Sequence, residues 1–360
     1  MLNYFEKNPD VPSFSLAVND SGNFCEQYPT HEHYTGERNS LGLPHMSEIY
    51  FAWVNEVVEQ VLEVYPDKWF GVLAYQHVYD PPSFPLHERV VPYLTKERLA
   101  WGDEQVRAED QAIVEAWKQK ASNIGFYDYI YSNPYMLPRV YNHLMADVFQ
   151  YGADNNVVAF FGEHNPNWGD GPKSWLYLKL LWDPYQDVEA LEQEWYERAV
   201  GEEAAPFLKA YYDHWRDFWE NRVHETDWFQ SRKRIVYFLP NSAAYLSIVT
   251  DEEIAQSRAW LETAVAKAST DKQKARAEII LKQFEYYEAS ALSFPKPVEP
   301  LTGSEDALAL LEDSVHYQEK MDYAQKRLDL IEEFTGDPIH HHTSTPQRHN
   351  MVWSGLNAEA

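Results

Sequence analysis

The amino-acid sequence predicts an α/β fold: a (β/α) barrel, incomplete at its N-terminal side or continued by chain lying upstream, then a C-terminal α-helical bundle. Three observations carry this expectation. Apolar runs alternate with helix-length segments over the first ~165 residues, each apolar run passes into polar residues at its C-terminal end, and from about residue 173 every period is helical. Strands joined by helix-length crossovers must be parallel, with the helices outside the sheet. No Gly-rich phosphate loop follows any strand, which favours a barrel over a doubly wound sheet. About five strands are visible, where a closed barrel of this kind has eight. The expected divisions are a barrel portion over 1–185, a helical region packing on it over 186–335, and a loop-like tail over 336–360.

The elements follow in order. The run from Phe14 to Asp20 is a strand capped by Asn19 and Asp20, and a loop rich in Gly, Pro and His covers 21–46. A helix is expected over about 47–65, with Ile49, Trp53, Val57, Val58, Val61, Leu62 and Tyr65 at helical spacing and Ser47 as N-cap. Strands follow at 69–75, ended by Gln76 and His77, and around 89–93. A helix over about 103–122 leads to a strand at 125–131 that runs into Ser132, Asn133 and Pro134. A helix over about 136–151 feeds the strand Val157 to Glu163. Further helices are expected over 173–181, 187–199, 203–221, 251–269, 272–292 and 305–334, their apolar faces requiring partners in an antiparallel bundle. The tail contains His340, His341 and His342, whose adjacent side chains diverge and make a poor metal site.

Charge and composition narrow the function. The 30 basic and 57 acidic side chains give a net charge of −27, which argues against nucleic-acid or anionic-membrane partners because both demand positive potential. Apolar content of 44% is that of a folded chain. The 13 Trp, 25 Tyr and 17 Phe fill core volume, and those near strand ends also suit sugar rings, whose C–H faces stack on aromatic planes. Cys25 is the single cysteine, so neither an internal disulfide framework nor a cysteine metal cluster is expected. No run approaches the ~20 apolar residues of a membrane span. The N-terminus lacks the charged and apolar regions of a signal peptide. No cofactor or metal is expected, and the oligomeric state is not readable.

The chemistry is expected at strand ends, where parallel barrels place their sites. Glu163 ends an apolar strand and opens the polar loop His164, Asn165, Pro166, Asn167, Trp168; Asp20 ends another. Alternation puts Val157, Ala159, Phe161 and Glu163 on one face, and Phe14, Leu16, Val18 and Asp20 on one face. If both faces point inward, the carboxylates converge as an acid–base pair. The same argument nominates Asn19, Tyr75, His77, Tyr131, Asn133, His164, Asn165 and Trp168 as substrate-binding residues. The structural alternatives stay open: Asp20-Ser21-Gly22 is a turn signal, Glu163 could cap a helix, and Trp168 could plug the barrel. Asp128, mid-strand on the opposite face from Tyr131, suits a pair with an Arg or Lys. His31 and His33 lack a third metal ligand. No Gly-x-Ser-x-Gly elbow occurs, so nucleophilic serine hydrolysis has no support.

The runs FSLAVNDSGNFC (14–25), SEIYFAWVNEVV (47–58), VLAYQ (72–76) and VVAFFGEHNPNWGDGPKSWLYLKLLWDP (157–184) resemble the bacterial family called domain of unknown function 4838 over roughly residues 1–225. The resemblance implies a glycoside-hydrolase-like barrel, in style near α-glucuronidases and hexosaminidases, with Asp20 and Glu163 on its acidic strand-end positions. It also implies a carbohydrate substrate and a bacterial extracytoplasmic location. Two departures stand out: further cysteines usual near the one matching Cys25 are replaced by Gln27, Tyr28 and their neighbours, and the upstream part carrying the first barrel strands is missing. The expected function is therefore a glycoside hydrolase cleaving a poly- or oligosaccharide by carboxylate acid/base catalysis. The alternative is a non-catalytic carbohydrate-binding or scaffold protein on a degenerate barrel. The more apolar setting of Glu163 favours it as the acid.

Overall fold

A computed structural model describes residues 1–165, 167–240, 242–296, 303 and 314–341. Two compact units share the chain. The first comprises residues 1–130, 147–163 and 232–238; the second comprises 131–146, 164–231 and the described residues from 239 onward.

The first unit is built on one sheet. Strands β1 (Ser13–Ser15), β2 (Trp69–Ala74), β3 (Val90–Thr95), β4 (Ile124–Tyr129) and β5 (Val157–Glu163) lie in sequence order and pair in parallel throughout. They form a curled half-barrel. The parallel α/β architecture is as expected, and the sheet is half of a closed barrel among the described residues. Period-two alternation sorts the side chains. Phe70, Val72 and Ala74 are buried on one face of β2, while Gly71 and Leu73 on the other are half-buried.

Helix α1 (Leu2–Lys7) comes before any strand and was not anticipated; its Phe5 is fully buried against Phe14, Tyr65 and Phe70. Helix α2 (Ser47–Leu62) buries Phe51, Val54, Val58 and Val61, at ~1.5–3 kcal/mol for each large side chain. That stripe is offset from the expected one, and Trp53 stays half exposed. Phe51 decides it, because its ring meets the buried Trp117 edge-on at 5.2 Å. Ser47 does not cap the helix. Its hydroxyl donates instead to the Asp80 carbonyl at 2.5 Å. In α3 (Glu104–Lys118) the cap is Asp103, which accepts from the Gln105 and Val106 N–H groups.

The segment expected to begin a helix near 136 remains irregular until α4 (Asn142–Asp154). Tertiary hydrogen bonds take its backbone groups. Met136 N–H donates to the Tyr245 hydroxyl at 2.8 Å, Arg139 N–H donates to Asp170 at 3.1 Å, and the Pro138 carbonyl accepts from the Trp219 indole at 2.6 Å. These partners outweigh local propensity.

The second unit is helical: α5 (Lys173–Trp182), α6 (Val188–Val200), α7 (Ala205–Glu220), α8 (Asp227–Gln230), α9 (Asp251–Lys267), α10 (Asp271–Ser293) and α11 (Ser314–Thr335). The α7 stripe is as expected, with Leu208, Tyr211, Trp215, Phe218 and Trp219 all fully buried. Reciprocal capping boxes start α9 at Thr250 and α10 at Thr270. Helix α10 packs on α6, α9 and α11. The expected helix over 305–334 is described only from Ser314. In the tail, His340 is buried, stacks on Phe334 at 4.7 Å and meets Asp337 at 2.5 Å; residues from His342 onward lie outside the described residues. Among those described, no helix is long and apolar enough to cross a membrane.

Candidate active site

The inner face of the half-barrel holds a cavity of about 400 Å³ lined by Ser13, Ser15, Ala17, Gly71, Leu73, Tyr93, Tyr127 and Phe161, with further contributions from Phe14, Val72 and Phe160. Local sequence explains its shape. Ser13 and Ser15 of β1 and Gly71 of β2 are small, which leaves the trough, whereas Tyr93, Tyr127 and Phe161 of β3 to β5 supply an aromatic wall. Tyr93 lies across Gly125, where an added Cβ would come within 2.7 Å of its ring, so only glycine admits this arrangement. Tyr127 and Phe161 stack with centroids 4.6 Å apart. The volume falls in the range of small-ligand sites, about 300–1,000 Å³.

Two residues further along each strand, about 7 Å away, the same face reaches its rim. Tyr129 is paired in register with Glu163, as Tyr127 is with Phe161. There the Tyr127 hydroxyl donates to Glu163 Oε1 at 2.6 Å. The Tyr75 hydroxyl donates to Asp20 Oδ1 at 3.0 Å and accepts from the Gln76 amide at 2.8 Å. Gln76 takes a left-handed φ of 47°, a conformation that costs a non-glycine residue of order 1 kcal/mol, and the Asn39 amide holds its carbonyl at 2.6 Å. Burial, then the Asp20 carboxylate, push the Tyr75 phenol far above its ordinary value. Burial, then Glu163, do the same to Tyr127, with smaller contributions from Tyr75 and Asp20. The influence of Tyr75 and Asp20 on Tyr127 puts the Asp20–Tyr75 pair in the electrostatic neighbourhood of the Tyr127–Glu163 pair. The phenols remain protonated donors. Among the described residues neither Asp20 nor Glu163 forms an ion pair.

A further tyrosine arrives from far along the chain. Residues 232–238 belong to the first unit, and Tyr237 lies 5.4 Å from Tyr129 and close enough to Tyr75 to contribute to its raised pKa. The segment docks on buried Glu97, whose backbone N–H donates to the Val236 carbonyl and whose carboxylate accepts from the Phe238 N–H, both at 2.7 Å. Nothing in the local sequence signals Tyr237 or Glu97. Tyr127 and Tyr129 were legible from strand alternation, but a strand taken to run to residue 131 pointed to Tyr131 and Asn133 instead.

Of the nominated residues, Asp20, Asn19, Tyr75, His77 and Glu163 lie in the first unit, and Tyr131, Asn133, His164, Asn165 and Trp168 lie in the second. The expected route to Asp20 needs correction. Strand β1 ends at Ser15, where Phe14 turns toward Tyr4 and Phe5 and the serines line the cavity; Asp20 sits on an exposed loop and reaches the rim because Tyr75 holds it. Asn19 is exposed, its carbonyl accepting from Ser21 N–H. His77 organises the 22–46 loop through Pro44, 3.2 Å from its Nδ1, and Phe24. His164 meets the Ser174 hydroxyl at 2.8 Å, Asn165 is half-buried and Trp168 is half exposed on a short 3₁₀ turn. Asp128 pairs with an arginine as expected: it accepts from the Arg98 N–H at 3.0 Å, with the guanidinium 3.7 Å away.

Two other clusters in the second unit have chemical potential. His143, Glu189 and Glu192 bring ligand atoms within 4.8 Å of one another. However, the Arg216 guanidinium lies 2.6 Å from His143, 3.2 Å from Glu192 and 3.6 Å from Glu189, so cationic charge already fills the position an ion would take. Ser132 meets the Lys173 ammonium at 2.5 Å, the pairing of a serine–lysine nucleophile, with Asp170 at 2.8 Å from the lysine. All three are sealed from solvent, which makes the cluster a structural clamp.

The sequence pattern of a protein family described as a domain of unknown function, 4838, matches residues 1–213. The chain belongs to that family. The match takes in all five strands, the cavity and both rim carboxylates, while Tyr237 lies beyond it. No curated protein matches this family member.

Proposed function

We propose that this member of the 4838 family is a glycoside hydrolase in which Asp20 and Glu163 act as the carboxylate pair on a poly- or oligosaccharide. The observation that carries the reading is the rim itself: two carboxylates from separate β-segments, each accepting a phenol hydrogen bond, with electrostatic influence running between the two pairs. Glycosidases need two such groups flanking the scissile bond, one to protonate the leaving oxygen and one to activate water or attack the sugar. The aromatic-walled cavity beside the rim supplies stacking surface for a sugar ring. The open five-strand sheet favours a second reading, carbohydrate binding without turnover on a degenerate barrel.

The test is a panel of plant, algal and host glycans assayed for reducing-sugar release and, separately, for binding. Glu163→Gln is expected to abolish release on any active glycan while leaving binding within a fewfold. Full turnover by that variant ends the assignment of Glu163, and binding without release by the native protein favours the second reading.

A further inference from the structure

We infer that Tyr237, carried on the segment 232–238, is a ligand-contacting residue of this same site, its hydroxyl hydrogen-bonding a neutral saccharide held at the rim. The inference rests on the proposed carbohydrate reading and adds a residue outside the family match.

The segment is clamped at both ends within the first unit. Lys233 meets Asp103 at 2.7 Å and Arg234 meets Glu109 at 2.8 Å, while Val236 and Phe238 are bound to buried Glu97 by the two hydrogen bonds described above. Val236 and Phe238 are buried and Tyr237 between them is only half-buried, so Tyr237 is the side chain this part of the segment leaves accessible. There it meets Tyr129, the register partner of Glu163, and neighbours the Tyr75 phenol that holds Asp20.

Its chemistry differs from that of its neighbours. The Tyr75 and Tyr127 hydroxyls are each committed to a carboxylate, whereas the Tyr237 hydroxyl has no partner among the described residues. A phenol can donate and accept one hydrogen bond each, which suits a sugar hydroxyl. The ligand is neutral because the rim presents two carboxylates without an ion pair. The cations that follow β3 in the chain are already engaged, Lys96 with Asp110 and Arg98 with Asp128, as are the two in the anchoring pairs. A uronate would meet the like charge of Asp20 and Glu163.

The experiment measures binding of cello-, xylo-, laminari- and chito-tetraose, and of a uronate-bearing xylo-oligosaccharide, to native protein, Tyr237→Phe and Glu163→Gln. One or more neutral probes are expected to bind. Tyr237→Phe is expected to raise Kd roughly three- to tenfold, the range of one neutral hydrogen bond, with an unchanged melting temperature; on a hydrolysed probe, KM rises and kcat holds. Unchanged affinity in Tyr237→Phe, or tighter binding of the uronate, overturns the inference alone. Failure of every glycan to bind overturns it together with the carbohydrate reading. Loss of affinity in Tyr237→Phe, with no release by native protein, upholds the inference while the hydrolase reading fails.

Discussion

Gly125→Ala is the substitution whose consequence is most directly readable from packing. A Cβ at residue 125 would stand 2.7, 2.9 and 3.1 Å from Cδ1, Cε1 and Cγ of Tyr93. These atoms belong to the near side of the ring, so no swing of a flexible tip relieves the contact. The whole ring must rotate, and the cavity beside it is the open space that can receive it. Overpacking of this kind costs about 1–3 kcal/mol. At roughly 2–4 °C per kcal/mol, Tm falls by roughly 5 °C. The displaced ring also occupies part of the 400 Å³ cavity, so any saccharide that stacks there binds more weakly. Chemical denaturation followed by tryptophan fluorescence gives the stability, and titration with the tetrasaccharide that binds native protein gives the affinity. Tyr93→Ala on the Gly125→Ala background removes the collision partner, so its added destabilisation is smaller than in the native background. A Gly125→Ala protein within about 0.5 kcal/mol of native, with unaltered affinity, refutes the packing argument.

Three further outcomes follow from the same structure. Lys173→Met strands the buried Asp170 carboxylate, and breaking such a pair costs about 3–5 kcal/mol; a loss below about 1 kcal/mol in urea denaturation contradicts the clamp. Burial is the largest single influence on Glu288 and works against its charge, but the hydrogen bonds and positive charges of Arg258 and Lys326 together outweigh it, and the carboxyl is held below its ordinary value of 4.5. A depressed folded pKa contributes stability above the unfolded value that disappears as pH falls through the folded one. Stability should thus decline below pH 4.5 and decline less steeply in Glu288→Gln, a prediction that equal slopes in a pH series of melts would reject. Glu97→Ala removes the carboxylate that receives the Phe238 N–H, so trypsin should cut faster after Arg232, Lys233 and Arg234; an unchanged cleavage rate means Glu97 is not the anchor.

Legibility in the sequence tracked whether the cause was local. The strand ending in Glu163 was readable because β5 is a continuous apolar run that stops at a carboxylate, a signal carried by its own seven residues. The α7 stripe was equally plain, since one helix face carries two tryptophans, a tyrosine, a phenylalanine and a leucine. What escaped was set by distant partners. Residues 133–141 resist helix because Asp170, Trp219 and Tyr245 take their backbone groups. The α2 stripe shifted because Trp117 selects Phe51. Strand alternation does not place Asp20: β1 stops at Ser15, and Tyr75, just past β2, carries the carboxylate to the rim. Tyr237 had no local signal at all, because only the fold of Glu97 against a segment about 140 residues later brings it there.

The most direct test is a crystal structure of Glu163→Gln soaked with the tetrasaccharide that native protein binds best. The expected result is a sugar ring between Asp20 and residue 163, stacked toward Tyr127 and Phe161. The carboxyl separation in the native protein would then give the stereochemical outcome, about 5–5.5 Å for retention and about 6.5–9.5 Å for inversion. Saccharide bound on another surface, with Asp20 and residue 163 both turned away from it, would contradict the claim that these two groups serve one site.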